Sequence, residues 1–222
     1  RNDILFKDVK GYEIGIENYL ESISSMKKKG KVLLYAPTYR DWMKEFTFKE
    51  FFNLVPFEME KINDVLERYN AYLLIKLHPY IRTSKRYKVN GMVQILSRIY
   101  IILEPIDIYP IMRFADILIT DYSSIFYDFL LLDRPIIFYI PDFEQYYKHR
   151  GFCIKYEYMT PGPKAHNTKE LINALEDALK DHDDFKKERE RIRNLIFDHP
   201  DGNSSERIFK LIIKNLANKI DK

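Results

Sequence analysis

Residues 115–139 read ADILITDYSSIFYDFLLLDRPIIFY. Ile117–Thr120 is a short apolar run rich in branched side chains, the pattern of a buried strand. Asp121-Tyr122-Ser123-Ser124 interrupts it. Apolar residues then return over Ser124–Leu132 as a short helix candidate, and Asp133-Arg134-Pro135 turns the chain into a second buried run, Pro135–Tyr139. Two buried strands joined through a helix are parallel neighbours, because parallel pairing needs a crossover.

The same alternation extends to both sides. Lys31–Tyr35, Tyr72–Leu77 and Ile99–Leu103 read as further strands. Glu58–Tyr69 carries Met59, Ile62, Val65, Leu66 and Tyr69 on one helical stripe, and Asp107–Phe114 is a shorter helix candidate. This predicts an α/β fold, a Rossmann-like parallel sheet with helices on both faces. A helix near Ile16–Lys28, stopped at Gly30, leads into the first strand. Thr168–Lys180, opening on a Thr cap, Asp183–Ile196 and Ser204–Ile220 predict a C-terminal helical layer packed on the sheet. Neither internal repeats nor low-complexity segments occur, so residues 1–222 read as one domain.

Composition bounds the chemistry. A hydrophobic fraction of 46%, with 17 Tyr and 15 Phe, is enough for a sizeable core. The 36 basic and 33 acidic residues leave a net charge of +3, far from the footprint of a nucleic-acid binder. The one cysteine, Cys153, excludes an internal disulfide and a thiolate zinc cluster, and suits a reducing compartment. His149, His166, His182 and His199 lack metal-ligand spacing, so no metal and no cofactor are expected. No twenty-residue apolar run is present.

Three strands end in polar bursts, each at the carboxyl end: Ala36-Pro37-Thr38-Tyr39-Arg40, His78-Pro79 and Asp121–Ser124. In a parallel sheet these ends share one edge, where open α/β sheets bind ligands. Thr38, Arg40, His78, Ser123 and Ser124 are therefore expected to converge. The two serines, beside backbone amides at a helix start, can hold phosphate without a glycine-rich loop; alternatively, one simply caps its helix. Arg40 suits a bidentate clamp on diphosphate. His78 can protonate a leaving phosphate or hold its charge. Asp128, one turn after Ser124, can accept from ribose hydroxyls, or can be a surface charge paired with Arg134. No Walker sequence or GxGxxG is present.

APTYR, LHP, TDYSSIFYDFLLLDRPIIFY, YYKHRGF, PGP and DGNSSER, in this order, closely resemble the CDP-glycerol glycerophosphotransferases that build teichoic-acid-type and capsule polymers. The resemblance runs from Arg1 to about Lys214, and residues 1–30 are similar to the segment joining the two halves of those enzymes. It implies the donor-binding half of a GT-B fold, with the acceptor-binding half absent. It also implies transfer of glycerol phosphate from CDP-glycerol to a hydroxyl of a lipid-linked polymer, releasing CMP, in a cytoplasmic protein peripheral to the inner face of the membrane. Under this resemblance His78 serves the leaving or transferring phosphate, and Ser123, Ser124, Arg40 and Thr38 the diphosphate. Asp128 takes the ribose, and the loop Pro105, Ile106 and Asp107 meets cytosine. Two other readings remain: a CMP-sugar-dependent capsule glycosyltransferase of polysialyltransferase type, and a nucleotide-binding module without chemistry.

Overall fold

The computed structural model describes residues 2–7, 15–43, 47–78, 92–103 and 106–220. After a 3-10 turn at Asn2–Leu5, the elements run α1 (Glu17–Lys29), β1 (Lys31–Tyr35), α2 (Phe48–Leu54), α3 (Met59–Arg68), β2 (Ala71–Lys76), β3 (Met92–Leu96) and β4 (Ile99–Ile102). They continue with α4 (Tyr109–Met112), β5 (Ile117–Thr120), α5 (Ile125–Phe129), β6 (Ile136–Tyr139), α6 (Phe143–Arg150), α7 (Tyr156–Met159), β7 (Lys164–Ala165), α8 (Thr168–Leu179), α9 (Lys186–Ile196) and α10 (Ser204–Ile220).

Seven strands form one sheet in the order β3-β4-β2-β1-β5-β6-β7. Every pairing is parallel except the β3–β4 hairpin at one edge. Side-chain alternation divides the core in two. Val32 and Leu34 of β1 face α1, α4 and α5, whereas Leu33 and Tyr35 face α2, α3 and α8. Both faces being covered explains why the central strands read as unbroken apolar runs.

The chain departs from β1 toward β2 and β4 on one side, then returns to place β5 on the other. The order thus reverses between β1 and β5, and the carboxyl edge at that point is where such sheets open a crevice. Gly30 makes the entry to β1 possible. Its backbone is extended, and a Cβ there would lie 1.6 Å from the Asn70 carbonyl oxygen.

Some expectations need correction. Thr168 does not cap α8; the Asn167 side chain does, accepting from Glu170 N at 3.0 Å. The C-terminal layer consists of α8, packed on β6, β7 and α3, and α9, packed on the turn at Leu130–Leu132. The last helix forms where expected but does not join that layer: Ile208, Phe209, Leu211, Ile212 and Leu216 are exposed. Its start is fixed instead by the buried Asp3, which accepts from Ser204 N at 3.0 Å and Ser205 N at 2.8 Å. The edge strand β3 was not foreseen because its partly exposed residues give no continuous apolar run, and β7 because two residues are too few to show one.

Candidate functional site

A cleft of about 440 Å³ opens at the carboxyl ends of β1, β2 and β5. Ala36 and Pro37 line it from β1, Lys76, Leu77 and His78 from β2, and Ser123 and Ile125 from the β5–α5 turn. Ile106, Asp107 and Ile108 close it from the approach to α4. His78 and Ser123 thus share one cavity. Pro105 lies outside the described residues.

The cleft is shaped by a buried ion cluster behind it. Asp121, at the end of β5, directs Oδ1 at three amides: Thr38 N at 2.8 Å, Tyr122 N at 2.6 Å and Ser123 N at 3.3 Å. Its other oxygen lies 2.8 Å from Arg40 Nη1. Arg40 donates from Nε and Nη2 to Asp142 at 2.7 and 3.0 Å, and from Nη1 to the Thr38 carbonyl at 2.7 Å. Tyr122 donates to Asp142 at 3.1 Å and its ring lies 5.0 Å from the guanidinium. Burial opposes the Arg40 charge, but Asp121 and Asp142 more than offset that and raise its pKa. Burial, then the same two carboxylates, pushes the Tyr122 phenol well above its ordinary value. The Thr120 hydroxyl, donating to the Ala36 carbonyl at 2.8 Å, ties β5 to β1.

Three of the expected site residues are engaged by protein partners. Arg40 is fully buried, and each of its three guanidinium nitrogens donates to a protein acceptor, so it braces the cleft wall. Thr38 does not line the cleft; its hydroxyl is buried without a partner among the described residues, and its amide and carbonyl serve Asp121 and Arg40. Asp128 also lies off the cleft lining: Asn2 Nδ2 and Tyr109 OH donate to its two oxygens at 2.8 and 2.5 Å. It therefore ties α5 to α4 and the N-terminal turn, and Arg134 instead donates to the carbonyls of Arg113 and Ala115.

The adjacent serines separate across the start of α5. Ser123 faces the cleft and accepts a long 3.4 Å bond from Ile125 N. Ser124 makes no side-chain cap and lines a second pocket of about 220 Å³ with Tyr127, Phe152, Cys153, Lys155 and Tyr156. The amides of Tyr122 and Ser123 are already taken by Asp121, so the turn offers fewer free donors than the sequence suggested.

His78 stacks on Tyr39 at 5.4 Å between ring centroids. Partial burial and then the neighbouring Lys76 lower its pKa below the ordinary 6.5. Asp107, just before α4, accepts from Tyr109 N at 3.1 Å. Lys76, Asp121 and Asp142 were missed as site-forming residues. The one available signal for Lys76 was a lysine inside the apolar strand AYLLIK, two residues before His78. Among the described residues no group of acidic, histidine or cysteine side chains is arranged to hold a metal.

With this geometry in place, residues 1–214 match the family model of CDP-glycerol:poly(glycerophosphate) glycerophosphotransferases, and the chain belongs to that family. It is 31% identical over 206 residues to a teichoic acid ribitol-phosphate primase of Bacillus spizizenii, covering 93% of this chain and 49% of the relative. It is 36% identical over 177 residues to a teichoic acid poly(glycerol phosphate) polymerase of the same organism, covering 79% and 42%. The chain thus spans about half the length, or less, of these curated relatives. Among solved structures, a histidine variant of the wall teichoic acid polymerase TagF superposes with TM-score 0.68 at 25% identity, over 100% of this chain and 52% of that one. A UDP-N-acetylglucosamine 2-epimerase from Listeria monocytogenes, at TM-score 0.51 and 18% identity over 98% of this chain and 52% of its own, shares the fold alone.

Proposed function

We propose that this chain is the donor-binding portion of a glycerophosphotransferase, and that it binds CDP-glycerol in the cleft between β2, β1 and β5. The observation that carries the reading is the meeting of His78 and Ser123 in one cavity at the strand-order reversal, in a chain of this family. A cytidine diphosphate ester needs a polar end for its anhydride and a flatter, mixed surface for its base. His78 and Ser123 supply the first; Ile106, Asp107 and Ile108 are suited to the second.

The reaction is a displacement at phosphorus. The acceptor hydroxyl oxygen bonds to the phosphorus bearing glycerol, the bond from that phosphorus to the bridging oxygen breaks, and CMP leaves with the bonding pair. The hydroxyl proton passes to a base. Catalysis is then chiefly positioning and charge neutralisation. His78, held by stacking on Tyr39, donates a hydrogen bond to the leaving or transferring phosphate. Ser123 fixes an adjacent phosphate oxygen, and Ser124, turned to the second pocket, is assigned no phosphate contact.

We assign recognition of the lipid-linked polymer to a part that the relatives carry outside the matched region. Attachment at a membrane surface belongs to the same proposal: among the described residues no helix is long and apolar enough to cross a membrane. The exposed Ile208, Phe209, Ile212 and Leu216 of α10, interspersed with Lys210 and Lys214, suit a peripheral contact.

Ligand-induced thermal stabilisation tests the donor. CDP-glycerol and CDP raise the melting temperature, CMP-sialic acid does so less, and UDP- or GDP-sugars do not. Equal shifts with every nucleotide would reject the assignment. Because relatives named for ribitol phosphate and for glycerol phosphate are similarly close, CDP-ribitol belongs in the same series.

A further inference from the structure

Lys76 is the last residue of β2, 6% exposed, and it lines the cleft. A lysine in an interior position keeps its charge only where acceptors or an opposite charge replace water. Other lysines of this fold have such partners. Lys31 reaches the Leu179 carbonyl at 3.0 Å and Asp181 at 2.5 Å, and Lys164 reaches the carbonyls of Thr160 and Gly162. Lys76 Nζ has a single long bond, 3.3 Å to the Leu77 carbonyl, and no carboxylate pairs with it among the described residues. Among the described residues, at least two of its three donor positions have no protein acceptor, on a side chain that lines the cleft.

We propose that Lys76 is the cationic residue that binds the donor's diphosphate, its ammonium meeting a phosphate oxygen beside His78 and Ser123. The inference rests on the donor reading above and deepens it, giving the anion a charge partner in place of Arg40. A diphosphate supplies a negative charge that no described residue gives Lys76. Burial lowers the pKa of Lys76, and an anion at Nζ reverses that effect, so binding and charging of the lysine are coupled. The position also predicts selectivity within the cleft. A phosphate-bearing ligand gains from the ammonium, whereas a bare nucleoside leaves it unpaired.

The test uses Lys76→Met, which keeps the aliphatic stem and removes the charge, and Lys76→Arg, which keeps the charge. Binding of CDP, cytidine and inorganic pyrophosphate is measured by calorimetry. Lys76→Met melts no lower than the wild type, because a desolvated amine is replaced by an apolar isostere. Its affinity for CDP and pyrophosphate falls by about 10- to 100-fold, the loss expected for a charge-assisted bond, while cytidine affinity is unchanged and Lys76→Arg recovers most of the CDP affinity. Wild-type CDP affinity in Lys76→Met, or an equal loss for CDP and cytidine, overturns the proposal. Lys76-dependent binding of pyrophosphate without preference for any cytidine nucleotide upholds the anion site and rejects the donor reading. Failure of the wild type to bind either CDP or pyrophosphate rejects both. Should Lys76→Met not fold, acetylation of the wild type read by mass spectrometry decides: CDP but not cytidine protects Lys76, and protection by neither overturns the proposal.

Discussion

Replacing Arg40 by alanine separates the two roles that its position allows. The guanidinium is fully buried between Asp121 and Asp142 and also holds the Thr38 carbonyl. Removing it leaves two carboxylates in the interior without their cation. Breaking a buried pair in this way costs about 3–5 kcal/mol, far more than an exposed pair is worth. A domain of ordinary stability has only about 5–15 kcal/mol in total, so the loss is a large fraction of it. At about 2–4 °C per kcal/mol for a chain of this size, the melting temperature drops by roughly 6–20 °C. Urea unfolding at constant protein concentration, followed by fluorescence and circular dichroism, measures the change at an unaltered slope. Arg40→Lys retains a charge but not the fork that spans both acids, and falls between the two. CDP affinity of the folded Arg40→Ala protein, measured well below its transition, stays within a few-fold of the wild type. A variant of wild-type stability that has lost CDP binding would refute this reasoning and restore Arg40 as a ligand clamp.

Other perturbations follow from equally local features. Ser123→Ala weakens CDP by about 2- to 10-fold, the worth of one neutral hydrogen bond, whereas Ser124→Ala leaves CDP affinity unchanged; calorimetry on both variants checks this. Gly30→Ala places a Cβ against the Asn70 carbonyl and costs about 1–3 kcal/mol in urea unfolding, as overpacking does. Burial alone would raise the Asp3 pKa, but the Ser205 and Ser204 amides and hydroxyls hold it well below the carboxylate range. A depressed folded-state pKa contributes stability above the unfolded value of about 3.9 and loses it as pH falls below that. Asp3→Asn accordingly costs about 1 kcal/mol at pH 7, and the difference from the wild type shrinks between pH 4 and lower pH in acid unfolding curves.

The central strands could be read because both faces of β1, β2, β5 and β6 are covered, which writes burial into the chain as unbroken apolar runs. The edge strand β3 shares its residues between core and solvent, so MVQIL gives no comparable pattern. Helix α10 was legible from its own periodicity, but which surface covers its apolar side was not, since periodicity identifies a face and names no partner. In the site, the strand ends correctly placed His78 and Ser123 on one edge, because topology alone determines it. Side-chain direction was a different matter. Arg40 meets Asp142 across 102 residues of sequence, a pairing that no local spacing encodes. Asp128 has the spacing of a ligand-facing carboxylate, yet Asn2 and Tyr109 donate to its two oxygens, partners that spacing does not reveal. Lys76 was hidden for the opposite reason: inside an apolar strand, its stem packs like its neighbours and only its tip is unusual.

A crystal structure of this chain with CDP bound tests the account most directly. The diphosphate is predicted within about 3 Å of Lys76 Nζ, the His78 imidazole and Ser123 Oγ, in the cleft above β1, with Arg40 still engaged by Asp121 and Asp142. A nucleotide seated instead beside Ser124, Phe152 and Lys155, or a diphosphate held by a displaced Arg40, would contradict it.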